Sequence, residues 1–377
     1  MIPLAFTALT ALILSVMLAL SGLWPNVAVW HLAFAVGLMP LIFAAMSHFV
    51  PVLTRTGKPE PLIRRLPWLA QATGLLVPLV MAAWVPRHAL YPVAAVDLVL
   101  AAILLRWILG RRRACLGAPH PGWCWYAAAL SCLLLALLVV LLMAFLPSFY
   151  PQLRLLHLHL NTLGLVGLAG LGTLPVLLPT AMGKFDPQAA DWLRRQLPFA
   201  LAGVLFLGLG LLLNAGRGPL LVLAGMLWLW VACSLLHRWL LFYGHVQIFR
   251  SGAAASLAAS LLGLCSILGL GLLHGSGLAN GGMTLQLWGL SFLLPMVTGA
   301  LSQLLPVWRW PGVSSPAHGR MRDKLMATGG WRGLLFLLAG LALGVGVPVL
   351  AGLSLALAML LFVLAVVQAM GVARSTR

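Results

Sequence analysis

Apolar residues fill this chain in long stretches, without the period of a helix half-exposed to water or of a strand. Stretches of about 17–25 residues alternate with short polar or Pro/Gly-rich breaks, at approximately 3–23, 29–53, 67–86, 89–109, 124–146, 155–180, 197–215, 219–241, 254–273, 284–307, 332–350 and 352–372. At about 1.5 Å per residue, each is long enough to cross a hydrocarbon core of about 30 Å. The pattern predicts an all-α, polytopic membrane protein with 12 transmembrane helices. The tightest break is Val347-Pro-Val-Leu-Ala-Gly352, where a turn must form in very few residues. The first stretch lacks a basic n-region and an AxA-like site, so it reads as a retained span and not as a signal peptide.

The second, sixth and tenth stretches align without a gap as His31-LAFAVGLMPLIFAAMSHFVPV, His159-LNTLGLVGLAGLGTLPVLLPT and Gln286-LWGLSFLLPMVTGALSQLLPV. Pro51, Pro179 and Pro306 fall twenty residues after His31, His159 and Gln286; Ala44, Gly172 and Gly299 coincide, as do Pro40 and Pro295. Spacings of 128 and 127 residues correspond to four spans per unit. The alignment predicts three four-helix repeats, about 1–122, 123–250 and 251–377, within a single transmembrane domain. Small residues and proline suit helices that line a bundle interior.

Composition agrees with the span pattern. Charged residues are 7% of the 377, against roughly 25% in a soluble domain. The formal net charge of +18 does not point to nucleic acid, because Lys and Arg sit in short clusters between apolar runs. Membrane lipid and the positive-inside rule account for such clusters. Twenty of the 23 Lys and Arg follow even-numbered spans or lie at the C-terminus, leaving Arg87, Arg154 and Arg217 on the other side. Both termini are therefore expected in the cytoplasm, the protein being multi-pass in a bacterial cytoplasmic (inner) membrane. The longest connection, about 308–331, is expected to be a basic loop too short and polar for a core. Tryptophans near span ends, among them Trp68, Trp84, Trp125, Trp239, Trp308 and Trp331, read as an interfacial belt, and the scattered methionines as packing.

Chemistry must then reside within the helix bundle. The five cysteines form no CxxC or CxxCH, so zinc-ribbon, covalent haem and thioredoxin-like chemistry lack support. Neutral imidazole can ligate a metal from within a bundle without burying a charge. His31, His157, His159 and His274 fall near the outer ends of their spans and can share one layer. His157 and His159 are about 200° apart on a regular helix, and repeat equivalence selects His159 as the partner of His31. That pair is the candidate for cofactor binding, with His157 and His274 as metal candidates, although helix-end hydrogen bonding also accounts for all four. His48 lies about 25 Å below His31 along the helix and joins Gln303, His237 and His245 in an inner polar set. Gln286 replaces histidine in the tenth span. Asp97 is the acidic residue well inside a span; its distance of nine residues from Arg106 directs it towards another helix or the wetted interface.

Twelve spans, four-span repeats and outer-layer histidines on the second and sixth helices resemble, distantly, haem-copper oxidase subunit I. The closer resemblance is to the NnrS family of multi-span bacterial proteins, carried by His31-LAFAVG with Thr54-Arg-Thr-Gly57 and by His157-Leu-His159-LNTLG. It covers roughly residues 1–373 and implies bound haem and/or copper and a part in nitric oxide metabolism. His31 and His159 are the implied haem ligands, with His157 as copper or alternate ligand. The oxidase HisHis pair and tenth-helix histidines are absent, Gln286 standing in that span, and Pro306-VWRWPG replaces the GHTGR ending of the NnrS pattern. A full dioxygen-reducing centre is therefore not expected.

Two other classes fit the same layout: a secondary transporter or channel, and a membrane assembly protein for another complex. Transporter repeats usually come as two inverted halves, whereas three similarly oriented units are expected here. Without a soluble domain, electrons would arrive from quinol or a separate electron donor. Reaction type and oligomeric state are not set by the sequence.

Overall fold

A computed structural model describes residues 1–214, 218–277, 283–312 and 315–374. Arg217 and Arg377, both counted in the charge pattern, lie outside the described residues. The regular structure among the described residues is all helical, and eleven helices among them are long and apolar enough to cross a membrane. The chain is a multi-pass, all-helical membrane protein.

It divides into two compact units, Met1–Gly172 with Leu211–Gly216, and Thr173–Gly210 with Arg217–Arg377. The first contains α1 (Ile2–Ser21), α2 (Asn26–Thr54), α3 (Pro61–Gly74), α4 (Leu76–Met81), α5 (Leu90–Arg113), α6 (Gly122–Leu142) and most of α7 (Pro147–Ala181). The second contains α8 (Ala189–Asn214) up to Gly210, α9 (Pro219–Tyr243), α10 (His245–Arg250), α11 (Ala253–Gly275), α12 (Thr284–Arg309), α13 (Pro316–Met326), α14 (Gly329–Gly344) and α15 (Pro348–Arg374).

Eleven of the twelve predicted stretches coincide with these long apolar helices. The third, 67–86, is instead two helices that meet at Leu75. Pro78 has no N–H to give the Gly74 carbonyl, so the regular ladder is interrupted there. The tight break before α15 is made by Gly346 in the left-handed region (φ 79°), with Val347 N–H donating to Ala342 O at 2.8 Å. The predicted basic loop after α12 differs more: Pro316–Met326 is helical, begun by Ser315, whose Oγ accepts from His318 N–H at 3.2 Å. Ser-Pro at the N-cap and first helical positions starts this helix despite its polar composition.

Three helices carry a wide π turn that the apolar pattern does not announce. The π segments are Leu32–Leu38 in α2, Leu160–Gly167 in α7 and Gly289–Leu293 in α12. Each begins within three residues of His31, His159 or Gln286, the positions that align in the sequence.

Packing around the α2 segment follows from Pro40. In a regular helix the residue at 40 would donate to Val36 O; proline cannot, and Gln71 Nε2 of α3 donates to it instead at 2.9 Å. Gln71 Oε1 in turn accepts from Thr7 Oγ1 at 2.8 Å, which ties α1 to the same point. One turn further along α3, a Cβ at Gly74 would lie 2.3 Å from Ala35 O, so only glycine permits this approach. In the second unit, Gly263 closes on the Ser291 backbone of the α12 segment in the same manner, and Gly340 on the Ser291 side chain.

Small residues also receive the largest buried rings. Trp125 packs against Gly172 in the first unit, and Trp228 against Gly203 in the second. Trp125, Trp239 and Trp308, expected at the interface, are buried, whereas Trp68, Trp84 and Trp331 are exposed. Proximity to a span end therefore did not fix which way a ring points: the helix face did.

Candidate metal centre

Imidazoles from α2 and α7 meet in the first unit. The rings of His31 and His157 have centroids 6.4 Å apart and planes 14° from parallel. Both are half-buried. His31 Nδ1 lies 2.7 Å from Val27 O, and His157 Nδ1 lies 3.0 Å from Ala136 O of α6. A carbonyl only accepts, so both Nδ1 atoms carry the proton, and in the neutral rings both Nε2 atoms keep a lone pair. Backbone carbonyls commonly fix metal-ligating imidazoles in this tautomer.

His159 is held by the same device, its Nδ1 lying 2.9 Å from Leu155 O. Val27 precedes His31 by four residues, as Leu155 precedes His159, so the aligned histidines make the same local bond. Alignment selects His159 as the partner of His31, and the structure adds a second ring beside His31, that of His157. Equivalence under a repeat places two residues alike within their own units; whether they meet depends on how near each lies to the axis that relates the units. Asn161 Nδ2 donates to His157 O at 2.8 Å and lies 3.4 Å from His157 Nε2, in the π turn that follows. The π turn places this amide beside the ring, an arrangement π segments often make at functional sites.

A single metal atom held linearly, about 2.0–2.1 Å from two imidazole nitrogens, needs ring centres about 6 Å apart and both in-plane Nε2 lone pairs aimed at it; the 6.4 Å between these rings meets the first requirement. Two imidazole nitrogens are donors that copper and haem iron would both accept. Among the described residues no three His, Cys, Asp or Glu side chains converge, so such a centre rests on the pair.

The other expected residues divide between the two units. His274 is in the last turn of α11, in the second unit. His48, on α2, has its ring edge-on to Phe49 at 5.3 Å; Gln303, His237 and His245 belong to the second unit. Gln303 is 7% exposed, and Oε1 of both Gln303 and Gln286 is buried without a hydrogen-bond donor. Asp97 is 4% exposed on α5 and does turn to another helix: its Oδ1 accepts from Thr73 Oγ1 of α3 at 2.5 Å. Thr73 adjoins the Gly74–Leu75 interruption, so the buried carboxyl faces the junction of α3 and α4.

Two functional-looking side chains escaped the sequence reading. Gln71 was hidden in an ordinary apolar stretch, its role created by Pro40 on a different helix. Arg332 was counted with the loop charges, yet it is 0% exposed in the first turn of α14. Its Nη2 donates to Ser302 Oγ at 3.1 Å and Leu325 O at 3.0 Å, and its guanidinium lies 5.0 Å from the Phe362 ring centre. No pattern of charge along the chain distinguishes it from its exposed neighbours.

No protein-family model matches the chain, and no curated protein or solved structure is significantly similar to it. Fold and packing define a polytopic helical membrane protein.

Proposed function

We propose that this chain is an NnrS-like haem- and/or copper-binding integral membrane protein acting in nitric oxide or respiratory redox metabolism. The observation that carries the reading is the His31–His157 pair, with both Nδ1–H groups committed to backbone carbonyls. Val27 O and Ala136 O fix the ring orientations and leave the His31 Nε2 lone pair for the metal, while Asn161 Nδ2, now donating to His157 Nε2 at 3.4 Å, would have to yield that position. Copper or haem iron held there would supply one-electron redox chemistry, with electrons from quinol or a separate donor. His31 and His157 are the proposed ligands; His159 is the alternative partner. The test is metal and haem analysis of protein made with both supplied. His31→Ala and His157→Ala should each remove the bound group or shift its spectrum, and His318→Ala should not. Loss with His159→Ala but retention with His157→Ala would shift the centre to the aligned pair. Protein recovered without haem or copper would overturn the reading.

The same reading places both termini in the cytoplasm of a bacterial inner membrane and arranges 12 spans as three four-helix repeats. Support comes from the π segments at aligned positions and the shared Nδ1–H bonds of His31 and His159. Reporter fusions near Arg64, Arg112 and Arg194 should read cytoplasmic, and one near Arg87 external; an external result at Arg112 would invert the topology.

A second reading, a secondary transporter or channel, is favoured by Asp97 and Thr73 at the interruption of the third span. Buried carboxyls and discontinuous helices recur where transporters bind coupling ions. Proteoliposomes that dissipate an imposed pH gradient, with dissipation abolished by Asp97→Asn, would put this reading first.

A further inference from the structure

The basic end of α5 holds four arginines, and their partners divide them. Arg111 pairs with Glu60 at 2.6 Å and lies over the Trp107 ring, and Arg112 lies over the Trp123 ring. Arg106 and Arg113 have no ion pair or ring partner among the described residues, and both are exposed. Seven residues apart, they share one face of α5. Between them opens a cavity of about 320 Å³, lined by Ala102, Leu105, Leu109 and Gly110 of α5 and by Leu134 of α6. A Cβ at Gly110 would meet nothing within 4 Å, so glycine there leaves room in the groove and no packing contact explains it.

We propose that this groove is a binding site for one anionic phospholipid of the surrounding bilayer, its phosphate between Arg106 and Arg113 and an acyl chain along Leu105, Leu109 and Leu134. Two like charges flank one apolar groove, so a suitable occupant carries negative charge at one end and a hydrocarbon body at the other. The arginines lie at and just inside the end of a membrane-spanning helix, where phosphates of the bilayer are found. Arg106, about 10 Å deeper than Arg113, reaches the headgroup level by extending its methylene stem along the helix. The uncommitted arginines distinguish this place from the rest of the basic cluster, whose charges are already engaged.

The test is native mass spectrometry of the full chain with mixed phosphatidylglycerol and phosphatidylcholine. Wild-type protein should retain one phosphatidylglycerol in preference to phosphatidylcholine. Each arginine near a bilayer surface contributes about fivefold, so Arg106→Gln with Arg113→Gln should reduce the preference about 25-fold. Gly110→Leu keeps both charges but fills the groove, and should lose the bound lipid as well. Arg106→Lys with Arg113→Lys should keep most of it, as should Arg195→Gln in another exposed cluster. Equal retention of the two lipids by wild type, or undiminished phosphatidylglycerol binding in Gly110→Leu, would overturn the proposal. If the double glutamine variant does not fold, the Gly110→Leu and lysine variants decide the matter.

Discussion

Replacing Gly74 by alanine tests whether α3 is held by direct backbone contact with the π segment of α2. The added Cβ would lie 2.3 Å from Ala35 O and 2.8 Å from Ala35 C. Carbon–oxygen contacts are comfortable from about 3.3 Å, so α3 must withdraw by about 1 Å. Both neighbouring atoms are backbone, and no side-chain rotation relieves the clash. Withdrawal stretches the bonds Gln71 Nε2–Val36 O and Thr73 Oγ1–Asp97 Oδ1, on either side of the contact. Overpacking costs about 1–3 kcal/mol and each weakened bond about 0.5–1.5, while alanine returns up to about 1 through helix propensity. The expected net loss is about 2–4 kcal/mol. The assay is reversible unfolding in mixed micelles, with Gly271→Ala as the control. Gly271 is also helical but has nothing within 4 Å of its would-be Cβ, so there the substitution should stabilise by about 0.5–1 kcal/mol. Equal effects at the two glycines would refute the proposed contact.

Three further outcomes are expected. Thr73→Val should cost about 1–2 kcal/mol in the wild-type background and much less in Asp97→Leu, as read from a double-mutant cycle; equal costs would mean that the interhelical bond contributes nothing. Arg322→Gln removes the donor to Ala181 O (2.9 Å) and Thr180 O (3.4 Å) at the C-terminal end of α7 and should lower stability by about 1 kcal/mol, an unchanged midpoint counting against this cap. Glu60, outside the membrane spans, is held below the ordinary carboxylate range by its own backbone N–H and by Arg111 and Trp107. Its contribution is therefore complete above the unfolded value and fades as pH falls through the lower folded one, and it is small because the side chain is largely exposed. Thermal melts of wild type and Glu60→Gln should differ near neutrality and converge in acid; a constant difference would contradict this.

The sequence by itself determined the class of this protein. Long apolar stretches with few charges admit little but membrane-crossing helices, because hydrocarbon leaves backbone groups no partner except the helix ladder. It also marked His31, His157 and His159 as chemically unusual, and aligned three helices whose π turns occupy matching places. It did not place the rings: a regular helix and a repeat favour His159 as the partner of His31, and only the structure brings His157 beside His31 as well, since orientation about a helix axis depends on the neighbouring helices. Gln71 shows the same limit. Its amide matters because Pro40, 31 positions away, leaves Val36 O without a donor, and no local pattern records that relation. Arg332 reads as one more loop charge until packing buries it against Phe362 and Ser302. Hydrophobicity is additive along the chain and therefore legible in it, whereas hydrogen-bond partners and side-chain facing arise between segments distant in sequence, and only the tertiary structure decides them.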